Sequence, residues 1–257
     1  LTFALTHNYT GYPLVKEARD MVKGGKLGKI RKVVVEYPQG WLSTLLEKED
    51  QKQASWRVDP KRAGISSAMG DIGTHAENLA EFITGLKITE MCADLTAFGE
   101  GRELDTDGNI LLRFDNGARG VLHASQISAG EENNLKIFVY GENGGIEWHQ
   151  MEPNSLIVRW LDKPTQIYRT GADRAYLGES AMAHTRIPAG HPEGYLEAFA
   201  NIYRNFAMTL RARMAGKEPD PQHLDFPTID DGVRGMAFIE NAVASGKSDE
   251  KWYKFTI

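Results

Sequence analysis

The chain has 257 residues, enough for one large domain or two small ones around a sizeable core. Its 30 basic and 35 acidic residues are interspersed, leaving a net charge of −5 and no basic stripe, which argues against a nucleic-acid partner. Cys92 is the single cysteine, so no internal disulfide forms; no apolar run reaches membrane-spanning length, and the opening has no signal-peptide core, so a cytoplasmic protein without a membrane partner is expected.

Leu1 to Thr6 reads as a short buried strand, with no turn or cap before it, as if cut from a longer chain. Asn8 to Pro13 reads as a loop, and Pro13 suits the first turn of a helix whose apolar residues recur to Val22 and which stops at Gly24-Gly25. Lys29 to Glu36 is a β-branched strand leading to Tyr37 and Trp41. Those two rings suit either packing or the C–H face of a sugar. Leu42 to Ala54 is a charged surface excursion, followed by Trp56 and Arg57 in a loop. There an arginine suits a hydroxyl or carboxylate ligand, and equally a solvated position.

The central stretch is Gly70-Asp71-Ile72-Gly73-Thr74-His75, which opens an apolar-periodic run ending at Gly85. In a helix, Asp71 and His75 fall one turn apart on the same face. A carboxylate beside an imidazole can fix its tautomer and hold it as a proton acceptor. The plainer alternative is an aspartate favoured by the helix dipole and a structural histidine. The pair lacks the ligand count of a closed metal site, so no metal is expected. Ser66-Ser67 have no nucleophile-elbow context.

From Ile88 to Arg169 the texture changes to strands and tight turns. Asn109 to Phe114 and Arg119 to Ile127 are joined by Asp115-Asn116-Gly117, a hairpin signal. Leu135 to Tyr140 and Gly145 to His149 pair across a second turn, and Ser155 to Leu161 and Thr165 to Tyr168 across a third. Cys92 is expected as a small buried hydrophobe in the first strand of this region. His123 and His149 are structural or exposed. A long helix follows His191, and another opens at Thr228 with Asp230 and Asp231 in its first turn. His191 suits a ligand or a turn contact, and His184 and Arg186 are weaker candidates. Trp252 to Ile257 is a final strand or tail.

The order of these pieces resembles the Gfo/Idh/MocA family of NAD(P)-dependent oxidoreductases. The residues that carry the resemblance are Asn8-Tyr9 with Tyr12-Pro13, Leu27-Gly28-Lys29-Ile30, Trp56-Arg57, Gly70 to His75, Gly190-His191-Pro192-Glu193-Gly194-Tyr195 and Phe226 to Gly232. The resemblance implies an α+β fold: a large, mostly antiparallel β-sheet with helices packed on one face and the other face available for a homo-oligomer. It implies that His75 takes a proton from a sugar or polyol hydroxyl while hydride passes to nicotinamide. Asp71 would orient His75 and touch the substrate, Trp56, Arg57 and His191 would line its site, and Tyr9 and Tyr12 would lie in the cleft or the core.

The chain departs from the family at one point. No Gly-x-Gly-x-x-Gly follows a strand and opens a helix, and the Gly-rich Gly141 to Gly145 sits in a hairpin. The family's Glu-Lys-Pro segment is absent too. Residues 1–6 are therefore expected to be the remnant of the last Rossmann strand, and residues 7–257 the C-terminal substrate-binding and oligomerisation domain. NAD or NADP would serve the full-length parent, an oxidoreductase acting on CH–OH donors, whereas this chain alone would bind no dinucleotide and be inactive. The alternatives are a non-catalytic binding or assembly module, and a relative with redox-assisted glycosidase or imine-reductase chemistry.

Overall fold

A computed structural model describes all residues from Leu1 to Ile257. After a short 3-10 turn at Asn8–Gly11 the regular elements are α1 (Pro13–Lys23), β1 (Ile30–Pro38), α2 (Lys52–Arg57), α3 (Pro60–Ala63) and α4 (Thr74–Thr84). Then come β2 (Ile88–Thr96), β3 (Asp107–Phe114), β4 (Arg119–Ser125), β5 (Lys136–Gly141), β6 (Gly144–His149), β7 (Ser155–Trp160) and β8 (Gln166–Arg169). The chain closes with α5 (Glu179–Ala183), α6 (Tyr195–Met214), α7 (Ile229–Lys247) and β9 (Tyr253–Lys254). The strands hydrogen-bond in the order β8-β7-β6-β5-β1-β4-β3-β2-β9, a mostly antiparallel sheet in an α+β chain. The exception is the parallel pair β1 and β4, which a hairpin cannot join.

Two compact units divide the chain: residues 1–30, 82–85 and 139–233, and residues 31–81, 86–138 and 234–257.

In the first unit, α1 lies against β6 and β7. Its end is a Schellman motif: Lys26 N–H bonds Met21 O at 3.1 Å and Gly25 N–H bonds Val22 O at 2.9 Å, with Gly25 at φ +71°. Trp148 of β6 is buried, its ring 5.2 Å from that of Tyr12. The periodicity of α6 predicts the helix correctly, but the buried stripe is only partly apolar, with Ala198 and Ile202 beside three polar residues. Leu196, Tyr203, Leu210 and Met214 are exposed, while Asn201, Asn205 and Thr209 are buried. Each of these three bonds a main-chain carbonyl: Asn201 that of Gly11 at 2.8 Å, Asn205 that of Asp225 at 3.0 Å and Thr209 that of His223 at 2.7 Å. Leu1 to Thr6 forms no strand. Strands need a ladder, and this segment makes one main-chain bond of that kind, Leu5 N–H to Pro227 O at 2.8 Å. The cap before α7 forms as expected, with Thr228 N–H and Oγ1 both bonding Asp231 Oδ2, at 2.6 and 3.0 Å.

In the second unit, β3 buries Gly108, Ile110, Leu112 and Phe114 on one face. Met69 covers that face so closely that a β-carbon on Gly108 would come within 2.8 Å of Met69 Cε. The opposite face carries the cross-strand row Cys92, Leu111, Val121 and Val34, which is half-buried or exposed. Cys92 is thus less buried than its strand suggested, because it falls on the uncovered face. The Asp115-Asn116-Gly117 turn closes the β3–β4 hairpin, with Gly117 at φ +90°.

Candidate functional site around Asp71

The central stretch does not enter its helix as a plain α-turn. Residues Met69–Gly73 form a π-turn, with Thr74 N–H bonding Met69 O, and α4 begins at Thr74. Gly73 is needed for close packing: a β-carbon there would come within 2.9 Å of Met69 Sδ and 3.5 Å of Phe238 Cε1. Wide turns of this kind concentrate at functional sites. Asp71 lies inside the π-turn and His75 in the first turn of α4, both half-buried.

The π-turn is fastened from behind by Asp105, a buried aspartate in the β2–β3 connection. Its Oδ1 accepts Ser67 N–H at 3.0 Å, its Oδ2 accepts Met69 N–H at 2.8 Å, and its carbonyl accepts Ala68 N–H at 2.9 Å. Burial raises the Asp105 carboxyl above the usual carboxylate range, against the opposing pull of these donors.

Arg57 and Gln126 hold the Asp71 carboxylate. Arg57 Nε donates to Oδ2 at 2.8 Å and Arg57 Nη2 to Oδ1 at 3.2 Å, and Gln126 Nε2 donates to Oδ2 at 2.7 Å. Two short bonds thus fall on Oδ2, while Oδ1 takes only the longer one. The Arg57 guanidinium lies over Trp56, 4.3 Å from the ring centre, and 5.6 Å from that of Trp41. Trp41 Nε1 bonds Gln39 Oε1 at 3.1 Å, and Gln39 and Tyr37 both donate to Asn133 Oδ1 at 2.7 Å. A polar and aromatic wall therefore runs from Asp71 to Asn133. In front of Asp71 is a cleft of about 420 Å³ lined by Trp56, Arg57, Ser66, Gly70, Met236 and Ile239 among others.

Three of the expected site residues, Trp56, Arg57 and Asp71, come together here. Trp56 and Arg57 are carried by α2 rather than by a loop; Gln51 accepts Ala54 N–H at 2.6 Å and starts that helix. Arg57 is not simply solvated: it holds Asp71 through Nε and Nη2 and lines the cleft. Tyr37 packs as a buried, bonded core ring. Gln126, Gln39 and Asn133 were missed; amides spaced 94 and 55 residues from their partners leave no local signal.

The remaining candidates belong to the first unit. Tyr9 and Tyr12 are buried and stacked, with ring centres 6.4 Å apart. Burial pushes the Tyr12 hydroxyl up to about 12. His191 is exposed, with Nδ1 3.3 Å from Pro188 O. His184 is buried between Ser180 O at 2.7 Å from Nδ1 and Asn205 Nδ2 at 2.7 Å from Nε2, a pattern that fits the Nδ1–H tautomer. Arg186 bonds Asn201 Oδ1.

With this geometry in view, the chain can be set beside known proteins. Residues 15–147, more than half of it, match the model of the GFO/IDH/MocA C-terminal domain. The chain belongs to that family of oxidoreductase domains. It is 33% identical over 253 residues to the uncharacterized oxidoreductase YfiI of Bacillus subtilis (98% of this chain, 64% of that protein). It is 26% identical over 268 residues to the levoglucosan dehydrogenase of Pseudarthrobacter phenanthrenivorans (95% and 64%). Among solved structures it superposes with a TM-score of 0.91 on an inositol dehydrogenase homolog from Azotobacter vinelandii complexed with NAD+ (33% identity, 99% of this chain, 65% of that one). The complex of an inositol dehydrogenase homolog from the same organism with NADH and myo-inositol gives 0.88 at 31% identity, with 99% and 64% covered. The chain therefore spans about 64% of the length of the relatives it matches. No helix is long and apolar enough to cross a membrane.

Proposed function

We propose that this chain forms the substrate side, with the catalytic imidazole, of an NAD(P)-dependent dehydrogenase that oxidises a secondary alcohol of a sugar or cyclitol. The observation that carries the reading is the Asp71 carboxylate, fixed by Arg57 and Gln126 at the mouth of a cleft, with His75 four residues on. In this reading His75 accepts the hydroxyl proton as the carbinol carbon loses hydride. Asp71 receives a substrate hydroxyl on Oδ1, the oxygen with only one long bond; its partners are Arg57 and Gln126 rather than His75. Trp56 offers its ring to the C–H face of the sugar.

The hydride acceptor is a nicotinamide, and the residues present do not fit a dinucleotide cradle. The Gly141–Gly145 stretch is the tight connection of β5 to β6, where a β-carbon on Gly141 would meet Leu27 O at 2.1 Å, and no helix opens there to receive a pyrophosphate. The reading therefore places the dinucleotide on a part of the enzyme outside this chain, and the chain alone binds it weakly or not at all. The half-open row of Cys92, Leu111, Val121 and Val34 supports pairing with a second copy through the sheet.

The test has two arms. Nicotinamide fluorescence of NADH titrated with this chain should stay unchanged. The enzyme that joins it to a dinucleotide-binding domain should reduce NAD(P)+ with cyclitols or sugars and yield the keto product. Cleaved glycosides or reduced imines as the only products would overturn the assignment.

A further inference from the structure

The Gly190-His191-Pro192-Glu193-Gly194 loop of the first unit is exposed at Gly190, His191 and Pro192 and braced through Glu193. Glu193 is buried, and its Oε1 accepts the N–H groups of Arg186 and Ile187, the latter at 2.9 Å. Asn154 clasps the same residue twice: its Oδ1 accepts Glu193 N–H at 3.1 Å and its Nδ2 donates to Glu193 O at 2.9 Å. Thr170 Oγ1 adds a 2.6 Å bond to Asn154 Oδ1. Gly190 sits at φ +87°, a conformation that disfavours any side chain.

This bracing frames a cavity of about 550 Å³, lined by Asn154, Arg169, Thr170, Arg174, His191 and Pro192 among others. Its lining carries two arginines and one acid, Glu152. Arg174 makes no side-chain hydrogen bond or ion pair, and its Nε is buried without a partner. A buried N–H left unpaired is unfavourable, so such groups are normally satisfied. Arg169 bonds Ser155 Oγ and has one distant carboxylate, the exposed Glu152 at 3.9 Å. Two guanidinium groups and His191 thus line a concave space of the size that holds small metabolites; Glu152 is the acid in the lining, and the Glu193 carboxylate is committed to the loop behind it through Oε1, its Oε2 buried without a partner.

We propose that this cavity binds the oxyanion of a small metabolite, a carboxylate or phosphate group, with Arg174 as its principal donor. A planar guanidinium presents paired N–H groups that match either anion, and the bond to Nε would satisfy the orphaned donor. Asn154 and Glu193 hold the loop in place. The site stands whether or not the chain takes part in a dehydrogenase.

Isothermal titration of the chain with sodium phosphate and, separately, with sodium gluconate at fixed ionic strength tests the site. Saturable binding of at least one is expected, weakened about ten- to a hundred-fold by Arg174→Gln and partly restored by Arg174→Lys. Whichever probe binds more tightly identifies the headgroup, and preference for either supports the site. Arg169→Gln, which removes the second guanidinium, should weaken the same binding should Arg174→Gln fail to fold. No saturation with either probe, or affinity unchanged in a folded Arg174 or Arg169 variant, overturns it.

Discussion

Two aspartates, one in each unit, show how solvent divides a single kind of contact into two uses. Asp225 accepts Lys16 Nζ at 2.8 Å and both Arg19 Nη groups at 2.7 and 3.0 Å, and the Lys16 side chain is only 1% exposed. Asp71 accepts Arg57 and Gln126 over similar distances, but its side chain is 26% exposed and that of Arg57 20%. Around Asp225 burial acts first. It lowers the Lys16 ammonium, and it would raise Asp225, yet Lys16 and Arg19 outweigh it and bring the carboxyl down to about 2. His184 nearby falls to about 4 through burial, reinforced by Lys16. All the capacity of that cluster is spent inside the protein, so it is a pin. Asp71 keeps one oxygen lightly used and lines a cleft, which sets it apart from Asp225.

The comparison breaks most visibly if Asp225 is replaced. Asp225→Ala strands two cations in a desolvated site and should destabilise the chain by about 3–5 kcal/mol in urea denaturation. A loss under about 1 kcal/mol would show that water reaches the cluster. The pH dependence follows next. His184 binds its proton more readily unfolded, so stability is full above about 6.5 and falls as pH drops through about 4, by about 3 kcal/mol. His184→Gln should flatten that decline. Asp225 acts in a lower window: its contribution of about 2 kcal/mol is present above the ordinary carboxylate value of 3.8 and is lost toward pH 2. The smallest effect belongs to the open pair. Asp71→Asn should change stability by no more than about 1 kcal/mol, as half-exposed ion pairs do, and a loss as large as that of Asp225→Ala would erase the distinction between pin and site.

Much of the fold was legible because its signals are local. Pro13 opening α1, Gly25 closing it, Gly117 in the hairpin and the Thr228–Asp231 cap each act within a few residues. What was not legible depends on partners far along the chain. Leu1 to Thr6 has strand composition but no ladder to join. Several apolar residues of α6 look like a core face yet are exposed, while Asn201, Asn205 and Thr209 share the buried stripe with Ala198 and Ile202 because carbonyls such as Gly11 O, 190 residues away, meet them. At the candidate site, the spacing of Asp71 and His75 and the family resemblance drew attention to this stretch, and Asp71 lines the cleft. The grip of Arg57 is also close in sequence, but Gln126 and the Asp105 anchor come from other strands and turns.

The most direct measurement is the turnover of His75→Ala in the enzyme that pairs this chain with its dinucleotide-binding part. The account predicts a fall of about 10²–10⁴-fold, as when a general base is removed, with Asp71→Asn less impaired. Near-normal turnover in His75→Ala would contradict it.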